Sequence, residues 1–210
     1  IYVLVGEAAG VAGNGTWIAF AAGAILAAAT GLSYAELTSM FPEAGAAAAY
    51  SEEAFGKRAG FVTGWMDVCV NFVAAPAVAI GFGRYFGDLT GLDPNAVSFG
   101  VILACAGIVI LGVAQTVGLA STFAFIEAAG LVLIVVIGLP FLGDVNLTEV
   151  HNGWSGMLGA AALVFFAYEG FEEIATLSEE VVEPTKNIPR AFLIAIGVTT
   201  ALYVTVAAVA

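Results

Sequence analysis

Residues 165–180 read FFAYEGFEEIATLSEE. The stretch opens as an apolar run, breaks at Glu169-Gly170, and continues through Glu172, Glu173, Glu179 and Glu180. A carboxylate at bilayer depth is costly and normally faces a bundle interior or a water-filled cavity. The rest of the chain supplies that setting. Of its 210 residues, 61% are hydrophobic and 10% charged, where a soluble domain carries roughly 25% charged residues. Mean hydropathy is +1.01. The apolar runs are too long for core strands, and the period-two alternation of an outer-membrane barrel is absent. The fold class is all-α: a polytopic helical membrane protein, with residues 1–210 as a single transmembrane domain. The formal net charge of −12 is assigned to loops and helix ends, either as a solvated acidic surface or as adaptation to high salt. Five basic residues argue against a nucleic-acid partner.

Breaks at glycine, proline and charge divide the chain into seven apolar segments: 1–13, 16–40, 60–86, 96–114, 119–142, 155–178 (interrupted at 168–170) and 191–210. The first, IYVLVGEAAGVAG, falls short of the roughly 20 residues a span needs and lacks the basic leader of a signal peptide. The chain is therefore expected to be truncated at both ends. Cys69 and Cys105 fall within apolar runs, and no disulfide is expected. Lys57, Arg58, Lys186 and Arg190 fall in loops that seven alternating crossings place on one side, and Arg84 lies near the other. By the positive-inside rule that side is cytoplasmic, as is the N-terminal side. The loop with Asp144, Glu149, His151 and Trp154 is then external. His151 stands alone there and is more often incidental than a ligand. Asn14-Gly15-Thr16 and Asn146-Leu147-Thr148 match the glycosylation sequon and also fall outside, although so short a pattern arises readily by chance.

PEAGAAAAYSEEAFGKRAG, residues 42–60, reads as a short cytoplasmic helix lying against the bundle. The small-xxx-small pairs Gly6/Gly10, Gly60/Gly64 and Gly83/Gly87 favour close helix packing. At the break, two readings of the residues remain. Non-helical backbone survives at membrane depth where it is buried or lines a cavity, and transporters use such breaks to present carbonyls to cations. Alternatively the helix ends there, with Glu172 and Glu173 already among headgroups. Glu169 lies only about 21 Å from Ser155 at 1.5 Å per residue.

Two groups of motifs add to this. Tyr34-Ala35-Glu36-Leu37 leads to Pro42-Glu43-Ala44-Gly45 and then Glu53-Ala54-Phe55-Gly56. Phe166-Ala167-Tyr168-Glu169-Gly170-Phe171 leads to Glu179-Glu180 and then Asn187-Ile188-Pro189-Arg190. In this order and spacing they resemble the amino acid–polyamine–organocation family of permeases over essentially the whole chain. The chain departs from that pattern at Ala46 (usually glycine), Ala48 (commonly aromatic), Glu52 and Val182 (often basic) and the uncharged link 113–120.

The resemblance implies a leucine-transporter-type fold of two inverted repeats, here the first repeat plus the first two helices of the second. IYVLVGEAAG then resembles the outer half of a broken first helix, starting at Ile1. It implies substrate binding by Ile1 together with Phe166, Ala167, Tyr168, Glu169, Gly170 and Phe171. Backbone carbonyls of Phe166, Ala167 and Glu169 would face the substrate ammonium, with Tyr168 and Phe171 shaping a pocket or gate. Glu169 also suggests a cationic side chain on the substrate; the alternative is that its backbone carbonyl is the working part.

Glu127 sits well inside the fifth segment and is expected to face the bundle. It reads either as the protonatable, cation-neutralising group for coupling or as a buried structural carboxylate. Asp67 suggests a cap or gate, Glu7 a group reaching Glu169 or a vestibule, and Glu36 a structural anchor.

The leading function is secondary active transport of cationic or neutral amino acids across the cell membrane by alternating access, coupled to H+ or Na+. An exchanger of amino acids or polyamines, a channel, and a non-transporting sensor on the same fold are alternatives. No cofactor, metal or catalytic residue is expected: one histidine and no grouped ligands argue against an enzyme. Gly81-x-Gly83 follows no strand and marks no dinucleotide site. The lipid bilayer is the expected surroundings, and the sequence leaves the oligomeric state open.

Overall fold

The computed structural model describes residues 1–143, 146–150 and 153–210, with backbone alone for 113–115. The described elements are helical: α1 (Tyr2–Ala12), α2 (Thr16–Met40), α3 (Ala46–Phe55), α4 (Lys57–Thr90), α5 (Pro94–Ile110), α6 (Val113–Gly138), α7 (Gly153–Tyr168), the single turn α8 (Glu173–Thr176) and α9 (Pro184–Val209). Among the described residues, five helical runs are long and apolar enough to cross a membrane: Tyr2–Met40, Lys57–Thr90, Thr116–Phe141, Gly153–Thr176 and Pro184–Val209. Pro94–Ile110 is apolar but shorter. The first two of the seven expected segments thus share one run, and the fourth is the shorter helix. A straight run of the 39 residues Tyr2–Met40 would measure about 58 Å, nearly twice the roughly 30 Å hydrocarbon core. Gly13, at φ 70° and ψ −150°, divides it, because that backbone conformation cannot continue a helix.

The chain forms two compact units, Ile1–Gly60 with Gly130–Ala210, and Phe61–Ala129. In the first, α2 packs along α7 and α9, and α1 along α7. Helix association in lipid lacks the hydrophobic drive of water, so small residues that admit close approach decide it. On α2 they recur every fourth residue: Ala19, Gly23, Ala27, Gly31 and Ala35, all buried. A Cβ at Gly23 would stand 3.4 Å from Val164 and Tyr168, and one at Gly31 would run into the Ile196 side chain. This stripe does the work expected of Gly6 and Gly10, whose faces meet nothing within 4 Å. Phe20, fully buried, packs edge-on against Tyr168 and Tyr203, with centroids 6.5 and 6.2 Å away.

A second cluster gathers Ala35, Ala46, Ala175, Ile188 and Phe192. It unites the segments whose motifs carried the resemblance. The buried Thr38 and Tyr50 hydroxyls are 2.7 Å apart and tie α3 to α2. Ala44 N–H donates to Glu179 Oε1 at 3.3 Å, and Asn187 Nδ2 donates to the Val182 carbonyl at 2.6 Å. The short helix expected within 42–60 is α3, held against α2 by these contacts. Elsewhere in the unit, Trp17 Nε1 donates to the Leu147 carbonyl at 2.9 Å, and Gly15 N–H to that of Glu149 at 3.2 Å.

In the second unit α4 runs continuously through Pro76. Asp93 caps α5 by accepting from Asn95 N–H at 3.0 Å, with Pro94 in the first turn. Gly87 admits the turn into α5, since a Cβ there would stand 2.9 Å from the Leu92 carbonyl and from Pro94.

Candidate functional site: the interruption after the seventh helix

α7 is built from GWSGMLGAAALVFFAY, with Gly156, Met157, Ala160, Val164 and Tyr168 buried. The spacing of three and four puts them on one face. The helix stops at Tyr168, residues 169–172 form turns, and α8 adds one more turn before α9. Gly170 has φ +99°, a left-handed conformation that glycine adopts without a steric penalty. A Cβ there would meet nothing within 4 Å, so backbone conformation alone demands the glycine. The helix therefore breaks where Glu169-Gly170 interrupts the apolar run.

The break sorts donors from acceptors. The last carbonyls of a helix have no partner within it. Glu169 N–H takes the Phe166 carbonyl at 3.3 Å, and Glu173 N–H takes that of Gly170 at 3.3 Å. Among the described residues, the carbonyls of Ala167, Tyr168 and Glu169 accept no hydrogen bond. The Gly170 N–H is already occupied by Glu172 Oε2 at 3.0 Å. A helix C-terminus carries the negative end of the dipole, and the exposed Glu169 carboxylate adds to it. The interruption is chemically suited to an ammonium or another cation.

The predicted residues divide around this point. Phe166, Glu169 and Gly170 are exposed and Ala167 is half-buried. Tyr168 is buried, and its hydroxyl donates to the Phe20 carbonyl at 3.1 Å. It belongs to the α2–α7–α9 core and does not face an open pocket. Phe171 packs edge-on against Tyr34 and Phe192, with centroids 6.0 and 6.2 Å away. Ile1 caps α1, its carbonyl accepting from Val5 N–H at 2.9 Å.

Register brings Ile1 and the break to one end. A Cβ on Gly159 would stand 3.6 Å from Val11, and Gly15 lies against Met157, so α1 and α7 are antiparallel. Ile1 precedes Val11 by ten residues (11 − 1), and Glu169 follows Gly159 by ten (169 − 159), each about 15 Å of helix. A cavity of about 250 Å³ beside Ile1 is walled by Tyr2, Leu131, Ile134 and Val206. The break does not line it.

The other predicted carboxylates lie on exposed positions of their helices. Glu127 is exposed in the second unit, so the burial expected of it is not provided by its unit's packing. Asp67 is exposed on α4 and its carbonyl accepts from Asn71 Nδ2 at 3.2 Å. Glu7 and Glu36 are also exposed. His151 and Asp144 lie outside the described residues. Phe20, Gly23 and Tyr203, which hold Tyr168, were not singled out from the sequence. The fourfold spacing of small residues on α2 was the available signal for Gly23.

A bundle of apolar helices, five of their runs long enough to cross a membrane among the described residues, defines a multi-pass membrane protein. The family model described as amino acid permease matches residues 1–210, and the chain belongs to that family. It is 29% identical over its whole length to the branched-chain amino acid permease BcaP of Bacillus subtilis, covering 50% of that protein. It is 29% identical to the methylthioribose transporter of the same organism, again covering 50%. The human cationic amino acid transporter 4 is 27% identical, with 37% of its length covered. The chain spans about half the length of the bacterial relatives.

Proposed function

We propose that this chain belongs to a secondary transporter that moves amino acids across the cell membrane by alternating access. The observation that carries the proposal is the break itself: unpaired carbonyls of Ala167, Tyr168 and Glu169 at the end of α7, level with the start of α1. Three carbonyl oxygens can replace the water around a substrate ammonium, as discontinuous helices do in transporters. Phe166, exposed beside them, offers an apolar wall to the side chain. Relatives named for branched-chain and cationic amino acids support an amino acid substrate. The Glu169 carboxylate favours the cationic end of that range. Coupling is assigned to H+ or Na+, with Glu127 as the group that binds or replaces the cation.

The test is uptake of radiolabelled Lys, Arg, Ala, Leu and Glu into proteoliposomes holding the protein, with and without an imposed proton or sodium gradient. Saturable uptake that collapses with one gradient, and fails in Glu127→Gln, supports a symporter centred on that acid. Uptake that instead requires internal substrate makes the protein an exchanger and leaves Glu127 structural. Binding of an amino acid without uptake makes it a sensor.

A further inference from the structure

We propose that the Tyr168 hydroxyl is a positioning group for substrate: by donating to the Phe20 carbonyl, it fixes the unpaired carbonyls of Ala167, Tyr168 and Glu169 where an ammonium can reach them together. The inference rests on the transport reading above.

Tyr168 is the last helical residue before the break. A residue at that place is free to fray, because the helix beyond it supplies no hydrogen bonds. Here its ring is held on several sides. Phe20 meets it edge-on at 6.5 Å, Tyr203 lies tilted at 5.5 Å, and Gly23 leaves the space its edge occupies. Ring packing alone lets the side chain slide along α2. The hydroxyl removes that freedom, since a donor aimed at one backbone carbonyl at 3.1 Å sets a single axial position. The acceptor belongs to the helix backbone of α2, so it cannot change rotamer. The unpaired carbonyls lie within one residue of this anchor on either side. Their positions therefore depend on it more than on any contact beyond Gly170, whose φ of +99° separates them from Phe171.

A substrate ammonium needs several carbonyls at once, so their mutual placement governs affinity. Loss of the hydroxyl should weaken binding while the ring keeps the helix in place. The test compares Tyr168→Phe with Tyr50→Phe. Each removes one buried tyrosine hydroxyl, but that of Tyr50 bonds the Thr38 side chain and not the backbone beside the break. Uptake kinetics per folded transporter in proteoliposomes give KM and maximal rate. Substrate-induced rise in melting temperature gives a readout independent of transport.

For Tyr168→Phe the expected result is a KM about 3- to 10-fold higher, the worth of one hydrogen bond. Maximal rate should stay near wild type and the substrate-induced stabilisation should shrink. Tyr50→Phe should lower intrinsic melting temperature and leave KM unchanged. A Tyr168→Phe protein with wild-type KM overturns the inference, as does one that loses only folded protein. An equal KM change in Tyr50→Phe also overturns it, because the effect is then general. If the wild-type protein neither transports nor binds an amino acid, the transport reading itself fails first.

Discussion

Helices α4 and α7 each meet a helix-breaking residue and respond in opposite ways. α4 contains Pro76 and runs unbroken for 34 residues. α7 stops one residue short of Glu169-Gly170. Proline removes one donor and crowds one carbonyl, losses that neighbouring groups can make good in a membrane helix. Gly170 sits at φ +99°, and no adjustment of neighbours keeps a helix going through that conformation. A proline thus strains a helix locally, whereas a left-handed glycine ends it and leaves its carbonyls unpaired. The proposed binding site lies at the second.

The largest effect is expected from Gly170→Ala. The added methyl meets no atom, yet the left-handed backbone disfavours it by about 1–3 kcal/mol. Melting temperature should fall, and amino acid uptake should fall at least about tenfold as the carbonyls rearrange. Unchanged uptake would mean that the glycine conformation is incidental. Pro76→Ala should go the other way. It restores a backbone donor, so stability should hold or rise by a fraction of the roughly 3 kcal/mol proline costs in an exposed helix. A clear loss of stability would show that α4 needs the ring's shape.

A smaller effect is expected at Tyr50, which lies in α3. Burial pushes its phenol above the ordinary value of 10.0, against the Thr38 hydrogen bond, which pulls it down, and with Glu43 adding repulsion. The neutral phenol is the form that the fold favours. Its contribution is complete below about pH 10 and is lost as pH rises through the folded value. Tyr50→Phe should cost about 1 kcal/mol at neutral pH and flatten the alkaline decline in melting temperature. An unaltered alkaline limb would place the titration elsewhere. The smallest effect is expected from Lys186→Ala. Its 3.3 Å pair with Glu183 is more than 60% exposed on both sides, so stability should change by less than about 0.5 kcal/mol.

Much of the architecture was legible because apolar length and glycine punctuation are local signals. The segment 16–40 coincides with α2, and the interruption at 168–170 falls at the end of α7. Helices α4 and α9 begin earlier than their apolar cores, at Lys57 and Pro184, since polar first turns carry no hydropathy signal. The site was less legible. Hydropathy cannot say that Tyr168 turns inward while Glu169, one residue on, is exposed. That depends on Gly23 and Phe20 of a helix nearly 150 residues away. Gly6 and Gly10 match a packing motif and meet nothing, because spacing marks a face that permits contact and does not supply the partner.

The central claim is that an amino acid binds at the interruption of α7. The direct measurement is maleimide labelling of Glu169→Cys, with Cys69 and Cys105 replaced by Ser because both are exposed free thiols. Labelling rates would be compared with and without an amino acid that saturates uptake by the same variant. The account predicts several-fold slower labelling with substrate, and no such protection of Glu36→Cys on α2. Equal labelling of Glu169→Cys at saturating substrate would contradict it and place the binding site elsewhere.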